Sequence, residues 1–218
     1  MISGKARIDG TTFSGNAAHE GRGISLRGSQ EVSDSRGSLY LTNSEFASSG
    51  TTDEGAAIYV GREGDLHEMD VDFPENTSDN ILYTLEVSAT EIWMNTGVIL
   101  DSGQQMTITY VSGQWTANPG TGLTDADGNS RYRAKPGYTL PGKREGALIG
   151  WVIAQGEEEG NVGSSNDPFL VGSAGTVPAG QGGQLFLSIN DDLSSAYGSG
   201  FADNLGFIVV NVSMQEVI

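Results

Sequence analysis

Apolar residues in this chain come in short runs, and each run ends at Gly, Asn, Asp or Ser before it reaches helical length. Several runs alternate strictly with polar residues. Alternation sends every second side chain to one face, which is the signature of a half-buried strand. The 32 glycines, against 6 prolines, supply the turns between runs. No amphipathic stretch extends past two helical turns. An all-β fold is therefore expected, and 218 residues suffice for a real core in one large or two small domains.

The first 85 residues carry a weak repeat. Residues 8–24 read IDGTTFSGN…GRGI, residues 41–58 read LTNSEFASS…GAAI, and residues 69–81 read MDVDFPEN…DNI. Phe13, Phe46 and Phe73 stand 33 and 27 residues apart. Each is followed three positions on by Asn16, Ser49 or Asn76, and later by Ile24, Ile58 or Ile81. A period of this size fits stacked supersecondary units, and the residues alone also fit two or three ordinary hairpins. The pattern resembles the rungs of right-handed parallel β-helices in bacterial surface proteins and phage tailspikes, over about residues 1–83. That resemblance implies phenylalanines stacked inside and Asn side chains satisfying turns. It also implies a short solenoid over residues 1–85, with ends covered by the following domain, another chain or further sequence.

From residue 86 the runs lengthen. Residues 105–111 (QMTITYV) put Met106, Ile108 and Tyr110 on one face. Residues 147–153 (ALIGWVI) and 206–212 (GFIVVNV) are more continuously apolar. Many short strands with regular turns imply an antiparallel β-sandwich over residues 86–218. Trp93, Trp115 and Trp151 sit among apolar neighbours and read as packing residues. The net charge of -17 argues against nucleic acid and anionic membrane, which recruit Lys and Arg. The Glu157-Glu158-Glu159 run reads as an exposed loop tip. No apolar run approaches about 20 residues, so no membrane insertion is expected. Residues 1–24 lack the apolar segment of a signal peptide. The absence of cysteine removes disulfides, thiol catalysis and cysteine-held zinc. His19 and His67 lack metal-ligand spacing. There is no nucleophile-elbow sequence, and the scattered Asp9, Asp70 and Asp72 form no carboxylate pair for glycoside cleavage. No enzymatic activity is expected.

Asn190-Asp191-Asp192, followed eleven residues on by Asp203-Asn204, puts side-chain oxygens on both sides of one loop. Calcium takes six to eight oxygen ligands of this kind. On its own, however, an Asp pair at a strand end equally describes a capped turn. Asp125-Ala126-Asp127-Gly128-Asn129 lacks the Glu that would complete a calcium loop and reads as a turn.

The order of four segments adds to this. Residues 93–115 (WMNTGVILDSGQQMTITYVSGQW), 146–152 (GALIGWV), 169–191 (FLVGSAGTVPAGQGGQLFLSIND) and 203–212 (DNLGFIVVNV) together resemble the bacterial soluble galactophilic calcium lectins. The resemblance implies a jelly-roll-like β-sandwich with one calcium at its edge, whose coordination a sugar's vicinal hydroxyls complete. Position by position, it implies Asp191, Asp203 and Asn204 as side-chain ligands. It implies backbone carbonyl ligands at Asn118 and, in the intervening loop, Gly200. The loop over residues 193–202 is longer than in the family. The family's sugar-contacting His and Gln have no counterpart in residues 127–145, where Arg131, Tyr132, Arg133, Lys135 and Tyr138 stand instead. Asp192 beside the ion, and the loop aromatics Tyr132, Tyr138 and Tyr197, are the candidate saccharide contacts, because a flat ring suits sugar C–H groups.

The expectation is a calcium-dependent carbohydrate-binding module for recognition or adhesion. It would be extracellular, on a cell surface or on a virion, as a homo-oligomer or within a larger assembly. The alternative is a structural subunit of a fibre, virion or surface matrix in which calcium only clips the fold. A fragment of a polysaccharide-active enzyme comes third.

Overall fold

The structure, a computed structural model, describes residues 5–14, 23–26, 37–47, 57–61, 64–73, 81–101, 104–154 and 166–216. Asn16, Ser49 and Asn76 of the repeat, His19 and the Glu157-Glu158-Glu159 run lie outside the described residues, as do the side chains of His67, Asp70 and Asp72. The described elements are strands with two short 3-10 turns, so the fold is all-β. Among the described residues no helix is long and apolar enough to cross a membrane.

The chain divides into two compact units, Met1–Thr84 with Ser213–Glu216, and Leu85–Val212 with Val217–Ile218. In the first lie β1 (Lys5–Asp9), β2 (Thr12–Phe13), β3 (Ile24–Leu26), β4 (Gly37–Phe46), β5 (Ile58–Val60) and β6 (Gly64–Asp72), with β7 (Ile81–Ser88) beginning there. β4 pairs in parallel with β1, β2 and β6. β5 pairs in parallel with β3 and β7, which aligns Ile24, Ile58 and Ile81. A hairpin joins antiparallel partners, so parallel pairing selects the stacked units over the hairpins. Phe13 stacks on Phe46 with ring centroids 4.7 Å apart, and Phe46 on Phe73 at 5.3 Å. Each ring thus covers the apolar face of the next, where offset stacking adds to burial. Asp9 ties one layer to the next, accepting from Asn43 Nδ2 at 2.8 Å and Thr42 Oγ1 at 2.7 Å.

The second unit contains β8 (Met94–Leu100), β9 (Gln104–Thr116), β10 (Leu148–Ile153), β11 (Phe169–Leu170), β12 (Ala174–Thr176), β13 (Gly183–Ile189) and most of β14 (Leu205–Glu216). Its 3-10 turns are η1 (Pro119–Thr121) and η2 (Gly200–Asp203). One sheet has the order β11-β10-β13-β8, antiparallel throughout. Another runs β12-β9-β14. Met106 and Ile108 are buried as their alternation predicts, and every residue of β10 is buried. Trp115 is fully enclosed and donates Nε1–H to Gly146 O at 2.9 Å; Trp151 donates to Asn166 O and packs on Trp93. A Cβ at Gly206 (φ +88°) would come 2.3 Å from Gln114 O, so glycine lets β14 press against β9 there. That contact fixes the chain two residues after Asn204.

Truncating Phe46 removes the middle ring of the stack. Phe46→Ala should lower the unfolding free energy by about 3–5 kcal/mol, with Phe46→Leu recovering part of the loss. Urea denaturation followed by far-ultraviolet circular dichroism measures it, and a loss below about 1 kcal/mol would contradict the stacked arrangement. The Asn43 and Thr42 hydrogen bonds hold the Asp9 carboxyl below the usual carboxylate range, assisted by nearby Arg7 and opposed by desolvation. A folded value below the unfolded one means the stabilisation is full above about pH 4 and disappears as pH falls through the folded value. Asp9→Asn should therefore lose stability near neutrality and show a shallower acid limb in a pH series of melting temperatures.

Candidate functional site

The site starts where β13 runs out. Asn190 has no exposed surface. Its Nδ2 donates to Leu140 O and Arg144 O, and its Oδ1 accepts from Leu140 N, all at 2.9–3.1 Å. Its backbone pairs with Gly146 N and Ala147 O. One side chain thereby fastens the loop of residues 131–146 to the strand end. The next residue, Asp191, is turned inward and only 3% exposed. Its Oδ1 accepts from Asp192 N at 2.7 Å, while its Oδ2 is buried without a partner.

Three further oxygens around it share that condition. Asn204, 2% exposed, donates Nδ2–H to Ala89 O at 3.0 Å and leaves Oδ1 buried without a donor. Glu145, 9% exposed, accepts from the Tyr138 hydroxyl through Oε2 at 2.9 Å and leaves Oε1 unpartnered. Thr139 donates its backbone N–H to Asp191 O, and its Oγ1 is buried and unpartnered. Six buried side-chain oxygens lack partners among the described residues, and these four are among them. Each orphaned group costs about 1–3 kcal/mol, and a single partner reaching several of the four at this strand end would relieve those costs together.

Electrostatics point the same way. Burial pushes the Asp191 carboxyl above the usual range. The Asp192 N–H and the Asn204 amide beside it oppose the shift, and the Glu145 and Asp203 charges reinforce it. Burial and the hydrogen bond to Glu145 likewise push the Tyr138 phenol up. The charges that act on Asp191 most, those of Glu145 and Asp203, are both negative. Oxygen donors of this kind suit a hard cation. Among the described residues no three His, Cys, Asp or Glu side chains are disposed to hold a metal ion, so amide and backbone oxygens would have to complete a shell around Asp191.

The other expected ligands sit as follows. Asp203 ends η2 and is half-buried; Asn204 is its C-terminal cap. Gly200 opens η2 at φ +54°, where a Cβ would meet Ser195 Oγ at 2.6 Å and Asp192 O at 2.7 Å, so this close turn requires glycine. Asn118 caps η1. Its carbonyl already accepts from Thr116 Oγ1, Thr121 Oγ1 and Thr121 N, so it would have to release a donor to serve a cation.

The expected saccharide contacts separate into two groups. Asp192 is buried and serves its own loop: Oδ1 accepts from Ser194 N and Oγ, and Oδ2 from Tyr197 N. Despite the cost of desolvation, these bonds hold its carboxyl below the usual range. Tyr138 is half-buried and anchored to Glu145. Tyr197, 49% exposed, lies 6.3 Å from the Tyr138 ring, and Lys135 Nζ sits 4.7 Å from its centroid. Tyr132, also 49% exposed, lines an open cavity of about 580 Å³ with Asp125, Asp127, Arg131 and Arg144. The 125–129 segment is a turn, with Asp127 N on Asp125 Oδ1 and Gly128 N on Asp125 O. Glu145, Thr139 and Asn190 carry more of the site than the sequence indicates. The available signal was a glutamate directly abutting the apolar residues 146–153.

A solved structure of the N-terminal domain of EclA, described as a PllA-like lectin, is similar to this chain at 26% identity. The match covers 61% of this chain and 95% of that one, with a TM-score of 0.40. No protein-family model matches the chain, and no curated protein is significantly similar to it.

Removing the Asn190 fastening leaves backbone groups of Leu140 and Arg144 without partners. Asn190→Ala should cost about 2–4 kcal/mol by urea denaturation followed through tryptophan fluorescence. A cost near zero would show that the 131–146 loop is held in place some other way.

Proposed function

We propose that this protein is a calcium-dependent carbohydrate-binding module that serves recognition or adhesion at a cell surface, in an extracellular assembly or on a virion. The observation that carries the reading is the group of buried, donorless oxygens on Asp191, Asn204 and Glu145. Asp191 and Asn204 would hold the ion, Asp203 and Glu145 would add negative charge, and the Gly200 carbonyl is a further donor in the same loop. When bound, a calcium ion neutralises the carboxylates, orders the loops and offers coordination positions to vicinal hydroxyls. Tyr197, exposed on the adjoining loop, presents an apolar face to a pyranose ring. One sugar buries little area, so useful strength would come from several copies acting together.

A second reading rests on the depth of the site. Asp191 and Asn204 are almost fully enclosed, which suits an ion that clips the fold of a structural subunit and meets no sugar.

Calcium at a hundredfold over its Kd stabilises by about 2.7 kcal/mol, which for a chain of this size raises the melting temperature by about 5–10 °C. That shift is expected for the native chain over its value in chelator, and is expected to vanish in the Asp191→Ala, Asn204→Ala double variant. Glycan-array binding abolished by chelator marks the recognition module. A calcium shift without glycan binding marks the clip, and no shift in the native chain contradicts both.

A further inference from the structure

We infer that the saccharide taken by this protein is an acidic one, whose carboxylate is met by Arg131 and Arg144 in the cavity beside Tyr132. The inference rests on the carbohydrate-binding reading and specifies its ligand.

Its first support is the distribution of charge. Between residues 85 and 212 the only Lys and Arg are Arg131, Arg133, Lys135, Lys143 and Arg144. In an acidic chain, every cation of this unit falls within one loop. The second support is how that loop is built. Glu145 N bonds to Tyr132 O, Ala134 N to Lys143 O and Gly142 N to Ala134 O, forming a short ladder that sets Arg133 directly opposite Arg144. Like charges facing each other across a ladder destabilise it. Among the described residues no carboxylate pairs with Arg131, Arg133 or Arg144, and of these Arg131 and Arg144 line the cavity.

The cavity supplies the rest of the specificity. Its volume of about 580 Å³ lies within the ordinary range for small ligands. Arg131 and Arg144 offer forked N–H donors that fit a carboxylate. Asp125 spends Oδ1 on Asp127 N, and Asp127 spends Oδ1 on Ser173 N, leaving the other oxygen of each for sugar hydroxyls. Those two carboxylates also repel a densely charged polyanion, as does the net charge of -17. A ligand with one negative group and many hydroxyls satisfies both sets. Tyr132 and Leu123, both exposed at the cavity, provide apolar contact.

The test is titration calorimetry on the full chain in calcium, with glucuronate and galacturonate against glucose and galactose. A charge-assisted pair predicts the acids binding about tenfold tighter. Arg131→Gln with Arg144→Gln should erase that preference, keep weak neutral-sugar binding and leave the calcium-induced melting shift unchanged. Equal binding of acids and neutral sugars, or a preference that survives in the variant, overturns the inference and leaves the lectin reading standing. Binding of no sugar of either kind overturns that reading as well. Tighter binding to a single-stranded oligonucleotide or to phosphatidylserine vesicles than to the hexuronates overturns it too, by marking the arginines as a general polyanion patch.

Discussion

A fully enclosed asparagine at the end of β13 governs the second unit's functional end. Asn190 joins the strand to Leu140 and Arg144 through three side-chain hydrogen bonds. Beyond that residue Thr139 N–H bonds to Asp191 O, and the Asp191 carboxylate is buried at a cost in desolvation. Once Asp191 is inside, its surroundings are dictated. Asn204 arrives from η2, held by Ala89 and by the close approach at Gly206. Glu145 arrives on the fastened loop, oriented by Tyr138. Protein partners satisfy one side of each group and leave the other bare.

A core that tolerated bare oxygens at random would scatter them. Their gathering at one strand end is the property to explain, and the proposed divalent ion would explain it with one object. The same ion would account for Asp203 and Glu145 standing close enough for their charges to disfavour ionisation of Asp191. Without a cation that arrangement only costs stability. A bound cation would offset charge and desolvation together.

Local signals were legible in the sequence, and distant returns of the chain were not. The resemblance carried by the recurrence of Phe13, Phe46 and Phe73 implied a ring stack, and in-register parallel strands place those rings on one another. Alternation foretold the burial of Met106 and Ile108. The resemblance carried by the order of the segments pointed to Asp191 and Asn204, whose Oδ2 and Oδ1 are buried without partners. The fastening of Asn190 to Leu140 joins residues 50 apart, and no periodicity announces it. The roles of Thr139 and Glu145 depend on that closure and were hidden with it. Asp192 shows the opposite limit. Its composition suits a ligand contact, yet the long loop after it needs a cap, and the nearest carboxylate supplies one to Ser194 and Tyr197.

A crystal structure of the native chain grown in calcium, with an anomalous difference map, examines the bare oxygens directly. The account requires a peak about 2.3–2.6 Å from both Asp191 Oδ2 and Asn204 Oδ1, the range of calcium–oxygen bonds. A map with no peak there, in which those two oxygens instead accept hydrogen bonds from protein groups or water, would contradict it.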